Sequence, residues 1–204
     1  MIEIHPDNPQ PRLIAQVADS LREGALVAYP TDSGYALGCQ LGNAAGIERI
    51  KRLRDLDDKH HFTLVCADFA QLGQFVRVSN SDYRLIRSCT PGPYTFILPA
   101  TREVPRRLMH PKKKTVGVRL PDNAVALALV AALEEPLMSA TLILPGDTDP
   151  LSDGAEVAER IGSQVDVIVD AGFCGGEPTT VIDLSQTPPE VARQGSGDTS
   201  RLFG

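Results

Sequence analysis

Thr31-Asp32-Ser33-Gly34-Tyr35 packs three hydroxyls and one carboxylate into five residues. A set this dense, just after the apolar run Ala25–Ala28, suits hydrogen bonding to a polar or charged small molecule at a strand exit. Pro30 and Gly34 punctuate the exit as a turn. Arg119 closes a second apolar stretch, Thr115-Val116-Gly117-Val118, and an arginine there can clamp a carboxylate or phosphate through two parallel N–H bonds. Thr95 follows Pro91-Gly92-Pro93, whose two prolines fix the backbone and offer its hydroxyl from a rigid position. Between residues 102 and 119, seven basic side chains face the single acid Glu103, a local excess of six positive charges that can hold phosphates. Arg106, Arg107, Lys112, Lys113 and Lys114 carry most of that excess. His60 and His61 stand beside Asp57, Asp58 and Lys59, but neighbouring side chains diverge, so they read as a solvated loop rather than a metal site.

These residues need a frame of alternating strands and helices. Asn8-Pro9 reads as a helix start with Leu13, Ile14, Val17 and Leu21 on one stripe and Gly24 as the stop. The pattern then predicts a strand over 25–29, a loop around Thr31, and a helix opened by Asn43 that buries Ile47, Ile50 and Leu53. Further strands are expected at 62–66, 94–98, 115–119, 137–143, 165–169 and 179–184, with a weaker one at 190–193. Asn80 and Asn123 read as helix caps, and Asp153 with Glu156 as a capping box. Alternation at this spacing predicts an α/β sheet covered by helices, in one domain over 1–204 with a loose polar tail from about 195.

Composition narrows the classes. At 204 residues, 42% hydrophobic and 23% charged, the chain fits one soluble domain that buries about 70% of its unfolded surface. The net charge of −6 argues against obligate nucleic-acid binding overall, although a basic face remains compatible with it. Cys39, Cys66, Cys89 and Cys174 lack zinc-knuckle spacing and read as free thiols of a reducing compartment. No apolar run reaches membrane-span length and Met1–Pro6 is no signal peptide, so a cytoplasmic protein with no membrane association is expected. No phosphate loop, dinucleotide fingerprint or nucleophile elbow occurs, so an ATP site must be of another type.

Taken together, the motifs at 29–32 (Tyr-Pro-Thr-Asp), 36–39 (Ala-Leu-Gly-Cys), 91–95, 116–121 (Val-Gly-Val-Arg-Leu-Pro) and 177–183 (Glu-Pro-Thr-Thr-Val-Ile-Asp) resemble the YrdC/YciO family, the threonylcarbamoyl-AMP synthase-like proteins. The wording at 27–39 and 90–107 is most similar to the YciO branch of short members. The resemblance implies a twisted, open mixed sheet with helices packed on it and a concave basic face. It implies an enzyme that joins threonine, bicarbonate and ATP into threonylcarbamoyl-adenylate for tRNA modification, with Mg2+ arriving on ATP and no metal held by protein side chains alone. It also implies an alternative, a non-catalytic protein that binds double-stranded RNA or tRNA through Arg106, Arg107 and Lys112–Lys114. By resemblance, Thr31, Arg119 and Thr180 hold the amino acid, and Arg54, Thr95, Thr141 and Arg193 face the nucleotide. One departure stands out: the family's Lys-x-Arg and Ser-x-Asn tetrad falls on Arg54, Leu56, Thr141 and Ile143. Leu56 and Ile143 offer no side-chain donor. At roughly 1.5–3 kcal/mol for each charged hydrogen bond lost, a rate deficit of order 10² to 10⁴ is expected.

Overall fold

The computed structural model describes residues 1–57 and 60–200. In chain order the elements are β1 (Ile2–Glu3), α1 (Pro11–Arg22), β2 (Val27–Thr31), β3 (Gly34–Gln40), α2 (Ala44–Arg54), β4 (Thr63–Val65), α3 (Phe69–Phe75), α4 (Asn80–Cys89) and β5 (Tyr94–Pro99). A 3-10 turn, Arg106–Leu108, precedes β6 (Thr115–Arg119), α5 (Ala124–Leu133), β7 (Leu137–Thr141), α6 (Gly154–Ile161), β8 (Val167–Asp170), β9 (Thr180–Asp183) and β10 (Glu190–Arg193). The ten strands form one mixed sheet in the order β1-β8-β2-β3-β7-β4-β6-β5-β9-β10.

The two faces of the sheet differ because side chains alternate along each strand. One face presents Leu37, Cys39, Leu64, Phe96, Leu98, Val118 and Met138 to α2, α3, α4 and α6, which supply Ile47, Leu72, Ile86 and Val157 to a single core. The opposite face presents Tyr29, Ala36, Val65 and Leu137 to α1 and α5 in a second core. Those two helices pack against each other and cover only one end of this face. The other end stays open.

Several elements start where the sequence places them. Asn43 accepts a hydrogen bond from Gly46 N, Asn123 from Ala126 N, and Asp153 from Ala155 N and Glu156 N. Other expectations shift. The first helix begins at Pro11, because its ring fits the first helical turn, where no N–H is needed. Ser79, rather than Asn80, caps α4, and Asp82 completes the box. The loop expected around Thr31 is a tight hairpin, with Thr31 paired to Gly34. Gly34 has φ +91, and a Cβ there would lie 2.5 Å from Pro150 Cβ, so glycine is required twice over. The tail expected to be loose from 195 is tied down as far as Ser200 among the described residues. Ser196 N donates to Pro178 O at 3.0 Å, and the Tyr94 hydroxyl donates to Asp198 O at 3.0 Å.

Candidate functional site

Register decides what the open end of the sheet presents. Ala36 pairs with Thr141, Thr63 with both Ser139 and Gly117, and Ile97 with Gly117, so these residues share one face. Thr95 pairs with Val181 on that same face. Around Gly117 the floor is therefore built of small and hydroxyl-bearing residues, with Ile97 and Val181 at its margin, while Leu64, Phe96, Val118 and Met138 point the other way. A Cβ on Gly117 would meet Thr63 Oγ1 at 2.9 Å and Thr95 Cγ2 at 3.3 Å, so glycine keeps this floor low. A cavity of about 340 Å³ lies above it, walled by Arg54, His60, His61, Thr141, Ile143, Thr179 and Arg193. Thr63, Thr95, Ala140 and Thr141 also border a small inner recess that ends on Arg119 and Ser139.

Among the described residues, three guanidiniums and no carboxylate line these two spaces. Burial, then the neighbouring Arg193, pulls Arg54 down to about 10. Burial, then Arg119, lowers Arg193. Cations that depress one another in a shared cavity make a place for an anion. Arg54 is the last residue of α2; Asp55, in the left-handed conformation at φ 51, ends the helix there. The Arg54 Nε donates to Ile143 O at 3.0 Å, while Arg193 donates from Nε and Nη2 to Thr179 O at 3.2 and 2.9 Å. These backbone anchors preset both side chains.

Arg119 is buried and donates from Nη2 to Asp32 Oδ1, whose other oxygen accepts from Asp122 N at 3.1 Å. Its Nε is buried without a partner. Thr31 and Arg119 each close a strand, which would bring both to the carboxyl edge of a parallel sheet. Instead β2 and β6 run in opposite directions with three strands between them. The hairpin tip reaches Arg119 across the open face through Asp32. Thr31 itself is buried, donating to Gly34 O at 2.6 Å and accepting from Ser33 N at 3.1 Å.

Thr180 takes a different place from the one the resemblance gave it. It pairs with Tyr94, one residue out of phase with Thr95, so its side chain turns to the opposite face. There its hydroxyl donates to Gly197 O at 2.8 Å and accepts from Gly195 N at 3.0 Å. Thr179 lines the cavity instead, and its hydroxyl lies 3.0 Å from that of Thr95.

The sequence reading also set His60 and His61 in a solvated loop; both are half-buried and line the cavity. Asp58 and Lys59, named with them, lie outside the described residues. Thr63, Thr179 and Ser139 were missed as well. Alternation within 62–66 could have paired Thr63 with Val65, but their strand neighbours are set by sheet order, which local pattern does not encode. Arg106, Arg107, Lys112, Lys113 and Lys114 are exposed. Their segment abuts the cavity wall, since His110 stacks on His61 at 4.8 Å and Lys113 Nζ lies 3.4 Å from Asp183 Oδ2.

The family model Sua5/YciO/YrdC, described as "Telomere recombination", matches residues 19–195. The chain belongs to this family. It is 51% identical over 195 residues to YciO of Escherichia coli (strain K12), covering 96% of this chain and 95% of that protein. It is 31% identical over 180 residues to the threonylcarbamoyl-AMP synthase of Halorhodospira halophila, covering 87% and 93%. Among solved structures, E. coli YciO superposes with TM-score 0.95 at 50% identity over 98% of this chain and 97% of that one. P. abyssi Sua5 complexed with L-threonine superposes with TM-score 0.87 at 29% identity, over 95% of this chain and 57% of that chain. The family and the open mixed sheet thus agree with the reading of the motifs. Among the described residues no helix is long and apolar enough to cross a membrane.

Proposed function

We propose that this family member binds ATP and a threonine-type amino acid in the open-face cavity and acts as a weak or redirected threonylcarbamoyl-AMP synthase. One observation carries the reading: three guanidiniums converge on a floor of small, hydroxyl-bearing residues with no carboxylate among the described lining residues. That suits one ligand rich in phosphate and another with a carboxylate. Arg54 and Arg193 would take the phosphates, Thr95 and Thr141 the neighbouring oxygens. Arg119, with its unpartnered Nε, would take the amino-acid carboxylate beside Thr31. Thr180, sealed behind the sheet, would act on the site only through the backbone it holds. The likeness to threonylcarbamoyl-AMP synthases and to a threonine-bound Sua5 supports this reading. Mg2+ would come with the ATP phosphates, since the described lining residues offer no carboxylate to hold it.

Weakness is expected because Leu56 packs against the core and Ile143 contributes only its carbonyl, already taken by Arg54. Preorganised donors around a triphosphate act mainly in the transition state. The test is threonine-dependent pyrophosphate release from ATP and bicarbonate. The parent should be slow, and the quadruple variant Arg54→Lys, Leu56→Arg, Thr141→Ser, Ile143→Asn should gain at least about tenfold. A folded quadruple variant without gain would reject ATP and threonine as the ligands.

A second reading rests on the exposed cluster Arg106, Arg107 and Lys112–Lys114 beside the cavity. It would bind double-stranded RNA or tRNA mainly through phosphates, with affinity falling steeply with salt. Changing the three lysines to glutamate should weaken binding to all sequences alike; unchanged binding would remove this reading.

A further inference from the structure

Two of the four tetrad positions, Leu56 and Ile143, bring no side-chain donor to the cavity, and two histidines line it. His60 sits in the loop after α2, its ring edge-on to Phe62 with centroids 5.5 Å apart. His61 is fixed differently: its Nε2 lies 3.1 Å from Thr115 Oγ1, and its ring stacks on His110 at an interplanar angle of 24°. The His110 Nδ1 accepts from Lys112 N and Lys113 N at 3.3 and 3.1 Å, so that ring is held as a rigid platform. Both cavity histidines are therefore pinned by packing, and Arg54 and Arg193 line the same cavity.

Resting on the nucleotide-binding reading above, we propose that His60 joins Arg54 and Arg193 in one site for a doubly charged oxyanion, and that filling the site draws a proton onto His60. The charges around His60 give the reason. Arg54 from α2, Arg193 from β10 and the neighbouring His61 face it as cations or potential cations, and Asp57 as the acid. Around His61 stand His110, Lys113 and Asp183. Burial is the largest cause and, with the charges, holds the ring down to about 4. With no anion bound, two guanidiniums outweigh one carboxylate at His60 among the described residues, so a further positive charge is unwelcome. A dianion in contact with both arginines reverses the local sign, so the imidazolium becomes the favoured form. The neutral ring donates one hydrogen bond; the charged ring adds an ionic one.

Sulfate is the probe, because it remains a dianion across the range used. The His60 ring titration is followed by NMR on histidine-labelled protein, assigned with His60→Gln, in sulfate and in chloride of equal ionic strength. Sulfate should raise the His60 value by about one unit or more. Sulfate should also bind about threefold or more tightly at pH 4.5 than at pH 7, since binding with proton uptake strengthens as pH falls toward the free value. His60→Gln should flatten that dependence while still binding. Arg54→Met with Arg193→Met should abolish both binding and the shift. If sulfate binds, seen in the arginine side-chain signals, while His60 stays unmoved, the histidine assignment falls and the nucleotide reading stands. If sulfate fails to bind at low ionic strength, the oxyanion site itself is wrong. Absent pyrophosphate release with an intact sulfate shift would overturn only the synthase reading.

Discussion

Arg119 and Asp32 join two parts of the fold, and the same arginine is the one proposed to take the amino-acid carboxylate. Their side chains are 6% and 13% exposed, and the pair joins the hairpin tip to the end of β6. Removing one member leaves a charge stranded out of water, at a cost of about 3–5 kcal/mol. Arg119→Met should therefore lower stability by that order in urea unfolding and abolish threonine binding. Arg119→Met with Asp32→Leu should recover most of the stability but no binding; recovery of binding would move the amino-acid site elsewhere. The two threonines at 179 and 180 separate by phase. Thr180→Val leaves the half-buried Gly195 N–H without its acceptor and Gly197 O with only the Gln194 Nε2 donor at 3.0 Å, and should cost about 1 kcal/mol, with ligand affinity changing little in titration calorimetry. Thr179→Val should do the reverse, because its hydroxyl positions Arg193 and touches Thr95. Asp166 gives a pH signature. Arg49 holds its carboxylate below the ordinary value, so its contribution is present above about pH 4 and is lost as pH falls through the lower folded value. Asp166→Asn should flatten the acid side of the stability profile; an unaltered profile would place that acid sensitivity elsewhere.

Strands and helices were legible wherever local chemistry decides them. Caps at Asn43, Asn123 and Asp153 act within three residues, and the apolar stripe of α1 reads directly from Ile14, Val17 and Leu21. The hairpin at 31–34 was read only as a loop, since Pro30 within β2 masks a strand and the turn is secured by Pro150, Leu151 and Gly175 from far along the chain. The site was legible as a set of motifs but not as a surface. Nothing near Thr180 says it faces away from Thr95; the β5–β9 register does. Nothing near His60 says that it shares a cavity with Arg193. The floor gives an element-scale prediction. Gly117→Ala forces a methyl against Thr63 and Thr95, between β4 and β5. It should cost about 1–3 kcal/mol of stability and weaken ATP binding at least about tenfold by raising the floor. Binding equal to the parent would mean that ligand does not reach this floor.

At the scale of the whole molecule, the candidate site exists because the sheet is incompletely covered. α2, α3, α4 and α6 close one face of the ten-stranded sheet, while α1 and α5 close only an end of the other. The gap they leave collects Arg54, Arg119 and Arg193 from α2, β6 and β10, three elements distant in sequence. A chain of net charge −6 thus keeps a hollow lined by three guanidiniums, the place proposed above for anions. In the proposed function, this hollow has a phosphate end at Arg54 and Arg193 and a carboxylate end at Arg119. Equilibrium binding of ATP and of threonine, measured separately by calorimetry on the parent, on Arg54→Met with Arg193→Met, and on Arg119→Met, tests it most directly. The account predicts that the double variant loses ATP at least about thirtyfold yet keeps threonine, and that Arg119→Met loses threonine yet keeps ATP. A parent that binds neither ligand, or variants that bind both as the parent does, would contradict it.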